Sequence, residues 1–222
     1  MPFFVPMPRF AHLIFDLDGT LVDTKADLAA ATNHMLLCLA LPQLSIAQVA
    51  DYVGHGVRVL VERALGPSHT HLVSHGLPLF LEYYGAHLLD HTRPYRGIEQ
   101  LLAAAQARGV TLSVLTNKPA ALSRAIVTGL DLAPYFREIV GGDTLPTKKP
   151  DPGGVTYLQR LTGIALPDTL LIGDSQVDCE TGRAAGVATC GVTWGFDADG
   201  LASLPPQFVV GTPEELSSLV FS

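Results

Sequence analysis

The feature that most constrains the fold is a short apolar run that ends in two carboxylates. The run His-Leu-Ile-Phe at 12–15 is followed by Asp16 and Asp18, with one leucine between them. Such a run predicts a buried strand. Side chains alternate along an extended chain, so both aspartates project to the same side. Two carboxylates at such a short distance repel each other, so one must be protonated or a cation must lie between them. Gly19 then lets the chain turn sharply away from the strand.

The second half of the chain predicts an α/β fold with a doubly wound parallel sheet. Apolar segments at 110–115, 138–141, 169–172, 187–192 and 208–210 are strand candidates. Helical segments lie between them, among them 100–108 and a last helix with Thr212 as its N-cap and Pro213 as its first residue. Strands that alternate with helices form a parallel sheet with helices on both faces.

The interval between the first strand and residue 94 is helical in pattern. Its helix candidates are 28–39, 49–65 and 77–89, and no strand is predicted there. Thr24 to Asp27 has the pattern of a capping box at the start of the first helix. We therefore expect a core of residues 1–24 and 94–222, with a helical cap of residues 25–93 inserted after the first strand.

Polar residues that follow the predicted strands are the candidates for chemistry, because ligands bind beyond the carboxyl ends of such strands. Thr116 and Asn117 can bind phosphate oxygens through a hydroxyl and an amide, although Asn117 also fits a helix N-cap. Lys149 precedes Pro150, which stiffens the turn that presents the lysine. Its ammonium would neutralise a phosphoryl group and the aspartates together. A solvated pair with Lys148 is the alternative.

A second carboxylate pair follows the 169–172 strand. Asp174 lies where it can complete a magnesium site with Asp16 and Asp18, since Mg²⁺ prefers oxygen ligands. Asp178 either supports this site through a bound water or forms a capping box with Ser175. The sequence thus predicts phosphoryl chemistry on Mg²⁺.

The motifs, taken in order, resemble those of the haloacid-dehalogenase-like hydrolases, whose first signature reads Asp-x-Asp-Gly-Thr, as residues 16–20 do here. The resemblance covers almost the whole chain. It implies that Asp16 is a nucleophile, that Asp18 is a general acid and base, and that Thr116 and Lys149 bind the phosphoryl group. It also implies that Lys149, and not Lys148, is the lysine of the third motif.

The expected cap resembles that of the phosphoglycolate phosphatase-like subfamily. A Gly-His-Gly loop at 54–56 precedes a helix that ends in Glu-Arg-Ala-Leu. Free backbone amides, a helix N-terminus and the guanidinium of Arg58 would together suit an anion. The alternative is a simple helix-breaking turn. Arg96 departs from the subfamily, which usually has a proline before the glycine.

The predicted function is a magnesium-dependent phosphatase that hydrolyses a small phosphoester through an aspartyl phosphate, above all 2-phosphoglycolate to glycolate and phosphate. Another capped phosphatase or a sugar-phosphate mutase is the alternative within this class. A non-enzymatic phospho-acceptor switch is the alternative from another class, but it would explain neither the insertion nor the second acid. A dehalogenase is disfavoured because carbon–halogen cleavage does not need the acid that Asp18 supplies.

Composition excludes several other classes of function. The net charge is −7 and no basic stripe is present, which argues against a nucleic-acid partner. No apolar run reaches the roughly 18 residues of a membrane span. Three scattered cysteines fit the cytoplasm. We interpret the proline-rich start as an extended lead-in and not a signal peptide. The expected partner is a small phosphorylated metabolite, and the chain would be a monomer or a homodimer.

Overall fold

The computed structural model describes residues 8–221, so the predicted extended lead-in at 1–7 lies outside the described residues. Six strands form one parallel sheet in the order β5-β4-β1-β6-β7-β8, and two short strands form a separate pair. The strands are β1 (His12–Phe15), β2 (Val22–Asp23), β3 (Arg93–Pro94), β4 (Thr111–Leu115), β5 (Glu138–Val140), β6 (Thr169–Gly173), β7 (Ala188–Val192) and β8 (Phe208–Val210). The predicted doubly wound sheet is confirmed.

Ten α-helices lie within the described part of the chain. They are α1 (Lys25–Cys38), α2 (Ile46–Ala50), α3 (Val57–Leu65), α4 (Val73–Ala86), α5 (Ile98–Ala107), α6 (Ala120–Gly129), α7 (Gly153–Thr162), α8 (Gln176–Ala185), α9 (Ala198–Ser203) and α10 (Pro213–Phe221). None of these helices combines the length and the apolar character that crossing a membrane requires.

Helices cover both faces of the sheet. Successive apolar side chains of a strand point to opposite faces, so both faces must be buried. Leu13 and Phe15 of β1 pack in the larger hydrophobic cluster, which includes residues of α5 and α10. Ile14, between them, belongs to a second cluster with Val155 and Leu158 of α7. All three β1 residues are fully buried. The central strand therefore holds Asp16 at a fixed position at the carboxyl edge of the sheet.

The insertion between β2 and β3 is a group of packed helices, in which α1 packs against α2 and α4, and α3 packs against α4. The helix candidate over 49–65 is not continuous but consists of the end of α2 and all of α3, because the chain leaves the helix between Ala50 and Val57. Gly54 and Gly56 have φ values of 106° and 90°, in the left-handed region that an α-helix does not use. The two glycines thus form a loop between α2 and α3.

The two connections to the insertion lie side by side. Strands β2 and β3 pair antiparallel, with Val22 opposite Pro94, and neither strand was predicted. The predicted capping box at Thr24 was wrong, because the Thr24 hydroxyl donates to Asp18 instead. Asp27 is buried and accepts hydrogen bonds from the backbone of His91 and from Thr92. This carboxylate therefore links the start of α1 to the segment that returns to the sheet.

Candidate active site

Asp16 lies directly beyond β1 and is 6% exposed. Its Oδ1 accepts hydrogen bonds from the Leu17 amide at 2.7 Å and lies 3.0 Å from the Lys149 ammonium. Its Oδ2 makes no hydrogen bond with any described residue, which leaves one carboxylate oxygen available to a ligand. Both neighbours of β1 in the sheet, β4 and β6, are also directly followed by candidate residues, Thr116 and Asp174. The parallel sheet therefore brings these three predicted residues to one edge.

Lys149 occupies the space between two carboxylates. Its Nζ lies 3.0 Å from Asp16 and 2.6 Å from Asp178, and its side chain is 1% exposed. Burial lowers the pKa of Lys149, but the two carboxylates more than offset this, so its pKa is raised. The lysine is therefore a fixed positive charge next to Asp16, while Lys148 instead donates to the backbone oxygen of His55 at 2.8 Å.

Three buried carboxylates form the candidate metal centre. Oxygens of Asp16, Asp174 and Asp178 all lie within 4.8 Å of one another. Burial and the neighbouring carboxylates raise the pKa of Asp174 to about 8, and burial is the main cause that raises the pKa of Asp16 to about 6. Such a group of oxygen ligands fits a hard divalent cation such as Mg²⁺, whose positive charge would offset the repulsion between the carboxylates.

Asp174 is held by contacts that leave little freedom. Its Oδ1 accepts from the Thr20 hydroxyl at 3.0 Å and its Oδ2 from the Phe196 amide at 2.7 Å. A Cβ atom at Gly19 or at Gly195 would overlap the Asp174 carboxyl group. The two glycines therefore let the backbone approach this carboxylate closely.

Asp178 makes the capping interaction considered for it, while its support of the metal site through a bound water stays a prediction. The predicted capping box is present, since Asp178 Oδ2 accepts from the backbone and the hydroxyl of Ser175 at 3.2 and 2.6 Å. Its other oxygen pairs with Lys149. The capping residue thus also positions the lysine beside Asp16.

Of the three predicted metal ligands, Asp18 is the one that lies outside the cluster of buried carboxylates. Its Oδ1 accepts from the Thr24 hydroxyl at 2.8 Å, and both of its oxygens lie within 3.0 Å of the Lys118 ammonium. Lys118 is buried and also donates to the Tyr84 hydroxyl of α4 at 2.6 Å. Sequence reasoning missed Lys118, although it directly follows the Thr116-Asn117 pair.

Thr116 and Asn117 follow β4 as predicted, but they differ in their contacts. Thr116 is buried, its hydroxyl accepts from the Lys118 amide at 3.3 Å, and it lines the same cavity as Asp16. Asn117 is not the N-cap of α6, a position that Pro119 occupies. Its amide group donates to the backbone oxygens of Gly54 and Lys149 at 2.8 and 3.0 Å. Asn117 therefore attaches the Gly54 loop to the sheet edge.

Arg58 lies apart from the other predicted site residues. Its side chain is 64% exposed and its nearest charged partner is Glu62 at 3.9 Å. It does not line either of the two cavities that contain Asp16 and Asp18 within the described residues. Arg63, one turn and a half further along α3, lines the second of these cavities instead.

Comparison with known proteins agrees with this arrangement. A model of the haloacid dehalogenase-like hydrolases matches residues 13–192. A phosphoglycolate phosphatase of Pseudomonas fluorescens is 39% identical over 198 residues, which cover 86% of this chain and 71% of that protein. A phosphoglycolate phosphatase of Mesorhizobium japonicum is 37% identical, with 89% of each chain covered.

A solved structure has the same fold. The crystal structure of a predicted phosphoglycolate phosphatase from Haemophilus somnus superimposes with a TM-score of 0.89 at 31% identity, and covers 95% of this chain and 98% of that one. The family match spans the first strand, the helical insertion and the sheet as far as β7. The chain therefore belongs to the haloacid dehalogenase-like hydrolase family.

Proposed function

We propose that this protein is a magnesium-dependent phosphatase that hydrolyses a small phosphoester, with 2-phosphoglycolate as its preferred substrate. The observation that carries the proposal is the buried pair of Asp16 and Lys149, in which one oxygen of the carboxylate stays free beside a fixed ammonium. A nucleophile and a cation for the phosphoryl oxygens are thus held in one place. Relatives named phosphoglycolate phosphatase, at 37–39% identity, support the choice of substrate.

In the proposed reaction, Asp16 attacks phosphorus in line with the ester oxygen. The new bond joins its free Oδ2 to phosphorus, while the bond from phosphorus to the ester oxygen breaks. Asp18, two residues along the chain, enters this step protonated and donates its proton to the leaving alkoxide. A water molecule then attacks the aspartyl phosphate, Asp18 removes its proton, and phosphate leaves with Asp16 restored.

The charge on the phosphoryl group is balanced by groups around Asp16. Lys149 and the Thr116 hydroxyl bind the equatorial oxygens, and Asp178 holds Lys149 in place. Asp16 and Asp174 would hold Mg²⁺, with Asp178 close by, while a ligand role for Asp18 stays a prediction from the sequence. The bound cation would supply further positive charge at the phosphoryl oxygens. Asn117 fixes the Gly54 loop over the site and does not contribute a free amide hydrogen.

We further propose that the core comprises residues 1–24 and 94–222 and that the helical group of residues 25–93 acts as a cap. Hydrogen bonds from Asn117 to Gly54, from Lys148 to His55 and from Lys118 to Tyr84 join the two parts beside Asp16. These contacts describe a closed arrangement, which would exclude bulk water from the aspartyl phosphate. All three cysteines are free, which suits the cytoplasm as the compartment.

The proposal is tested by measuring phosphate release from a panel of small phosphoesters, with and without magnesium. We expect continuous turnover that needs the metal and is fastest with 2-phosphoglycolate. Release of a single equivalent would instead indicate a phospho-acceptor switch. Isomerised sugar phosphate without phosphate release would indicate a mutase. Turnover that is faster with hexose phosphates would retain the phosphatase and reject the substrate.

A further inference from the structure

Lys118 is a buried cation that the phosphoryl chemistry does not use. Its side chain is 5% exposed, and its ammonium contacts both oxygens of Asp18 and the hydroxyl of Tyr84. Lys149 already supplies the positive charge at Asp16. Binding of the phosphoryl group therefore does not explain why a second lysine is buried at the same site.

Lys118 faces a cavity that has otherwise mostly apolar walls. Leu28, Leu60, Phe80 and Leu122 line this cavity together with Asp16 and Asp18. Among the described residues that line it, Lys118 is the one cation. An ammonium surrounded by apolar side chains attracts an anion more strongly than an exposed one, because the surrounding dielectric constant is low.

The position of Lys118 relative to Asp18 fixes which part of a substrate it can meet. In the proposed reaction Asp18 contacts the ester oxygen, and Lys118 lies 2.9 and 3.0 Å from the two oxygens of Asp18. In 2-phosphoglycolate a single methylene group separates the ester oxygen from the carboxylate. When Asp18 contacts the ester oxygen, the substrate carboxylate therefore lies close to Asp18 and within reach of Lys118.

We propose that the Lys118 ammonium and the Tyr84 hydroxyl form a second-anion subsite that binds the carboxylate of the substrate. This inference rests on the proposed function and names the residues that select the substrate. Arg58, which the sequence suggested for this role, is exposed and does not line the cavity.

The hydrogen-bonding capacity of the two groups fits this role. Tyr84 accepts a hydrogen bond from Lys118, so its own hydroxyl hydrogen stays available to a carboxylate. Burial raises the pKa of Tyr84 to about 12, so the hydroxyl keeps this hydrogen at neutral pH. Lys118 can exchange one of its two bonds to Asp18 for a bond to the incoming carboxylate. The exchange also frees an oxygen of Asp18 for the ester.

The subsite is built from both parts of the chain. Tyr84 belongs to α4 of the helical group, and Lys118 precedes α6 beside the sheet. A substrate with a carboxylate would therefore bridge the two parts, whereas an ester without a second anion would leave both donors without a new partner. Such a site disfavours the uncharged analogue, because the Tyr84 hydrogen is then left without an acceptor and Lys118 keeps both bonds to Asp18, so the acid is not released to the ester oxygen.

The test compares kcat/KM for 2-phosphoglycolate with kcat/KM for ethyl phosphate in Lys118→Met and Tyr84→Phe. We expect the ratio of the two values to fall by about tenfold or more in Lys118→Met, and by a smaller factor in Tyr84→Phe. Lys118→Arg should restore part of the ratio. Arg124→Met is the matched control, since it removes an exposed cation of α6 that pairs with Glu138. Tyr83→Phe, at the adjacent tyrosine, is the control for Tyr84.

An equal loss for both substrates in Lys118→Met and an unchanged ratio in Tyr84→Phe would overturn the proposal, because the lysine would then act only on Asp18. Loss of the ratio in Arg58→Ala or Arg63→Ala, with no change in Lys118→Met, would assign the carboxylate to α3 and also overturn it. Should Lys118→Met not fold, Tyr84→Phe decides alone. A wild-type enzyme that does not hydrolyse 2-phosphoglycolate at all would reject the proposed function itself, a result distinct from an unchanged ratio.

Discussion

Asp27 is the residue whose replacement we expect to affect stability most clearly without touching the reacting groups. It is 1% exposed and lies in the first turn of α1, where the sequence pattern predicted a capping box. Instead, its carboxylate accepts from the His91 amide, the Thr92 amide and the Thr92 hydroxyl at 2.7 to 3.0 Å. Asp27→Ala removes the acceptor and leaves these three donors of His91 and Thr92 without a partner.

The size of the effect follows from these three donors. A hydrogen bond to a charged acceptor contributes about 1.5–3 kcal/mol, and an unpaired buried donor costs about 1–3 kcal/mol. Water that enters the space left by the carboxylate recovers part of the loss, so we expect about 3–5 kcal/mol less free energy of unfolding. Since single domains have about 5–15 kcal/mol in total, this is a large fraction.

The assay is urea denaturation followed by circular dichroism. With a slope of about 2–3 kcal/mol per molar urea, the midpoint of Asp27→Ala should fall by about 1–2.5 M. Asp27→Asn keeps the shape and one acceptor oxygen, so its loss should be smaller. Asp90→Ala is the control on the same returning segment, because Asp90 is exposed and its carboxylate pairs with the partly exposed His87 side chain. A midpoint for Asp27→Ala equal to that of Asp90→Ala would refute the reasoning.

Three further outcomes are expected. Asp16→Asn should lower kcat at least about a hundredfold, or ~2.7 kcal/mol, because an amide is not a competent nucleophile; retained turnover would remove Asp16 from that role. Asp174→Ala should raise the magnesium concentration for half-maximal activity, and an unchanged titration would place Asp174 outside the metal site. Burial lowers the pKa of His12 to about 4, so below about pH 6.5 the unfolded chain binds a proton that the folded chain rejects. Relative to His12→Gln, the free energy of unfolding of the wild type should therefore fall by up to about 3 kcal/mol from pH 6.5 to pH 4. The raised pKa values of Asp16 and Asp174 act in the opposite direction in both proteins and cancel in this difference.

The sheet and the groups at its edge could be predicted because they depend on local patterns. A buried strand with an aspartate at its end is readable from a few neighbouring residues, and parallel strands bring their carboxyl ends to one edge. The Ser175–Asp178 capping box could be predicted for the same reason, since its partners lie in one helical turn. The ion pair that Asp178 also makes with Lys149 joins residues 29 positions apart, and no local pattern indicates it.

The contacts of Lys118 and Asp27 that sequence reasoning missed join distant parts of the chain. Lys118 meets Asp18 across 100 positions, and Asp27 meets Thr92 across 65. Local patterns were even misleading here, because Asp27 fits a capping box that tertiary contacts override. Arg58 has the right chemistry for a carboxylate, but the direction of its side chain from α3 depends on how the helix packs.

The central claim is that Asp16 carries the phosphoryl group during turnover. The most direct measurement is rapid acid quenching of the enzyme during hydrolysis of 2-phosphoglycolate with magnesium, followed by peptide mapping in a mass spectrometer. We expect a phosphorylated peptide with the phosphoryl group on Asp16, which disappears when the substrate is exhausted. Turnover without a phosphorylated peptide, or with the phosphoryl group on another residue, would contradict the account.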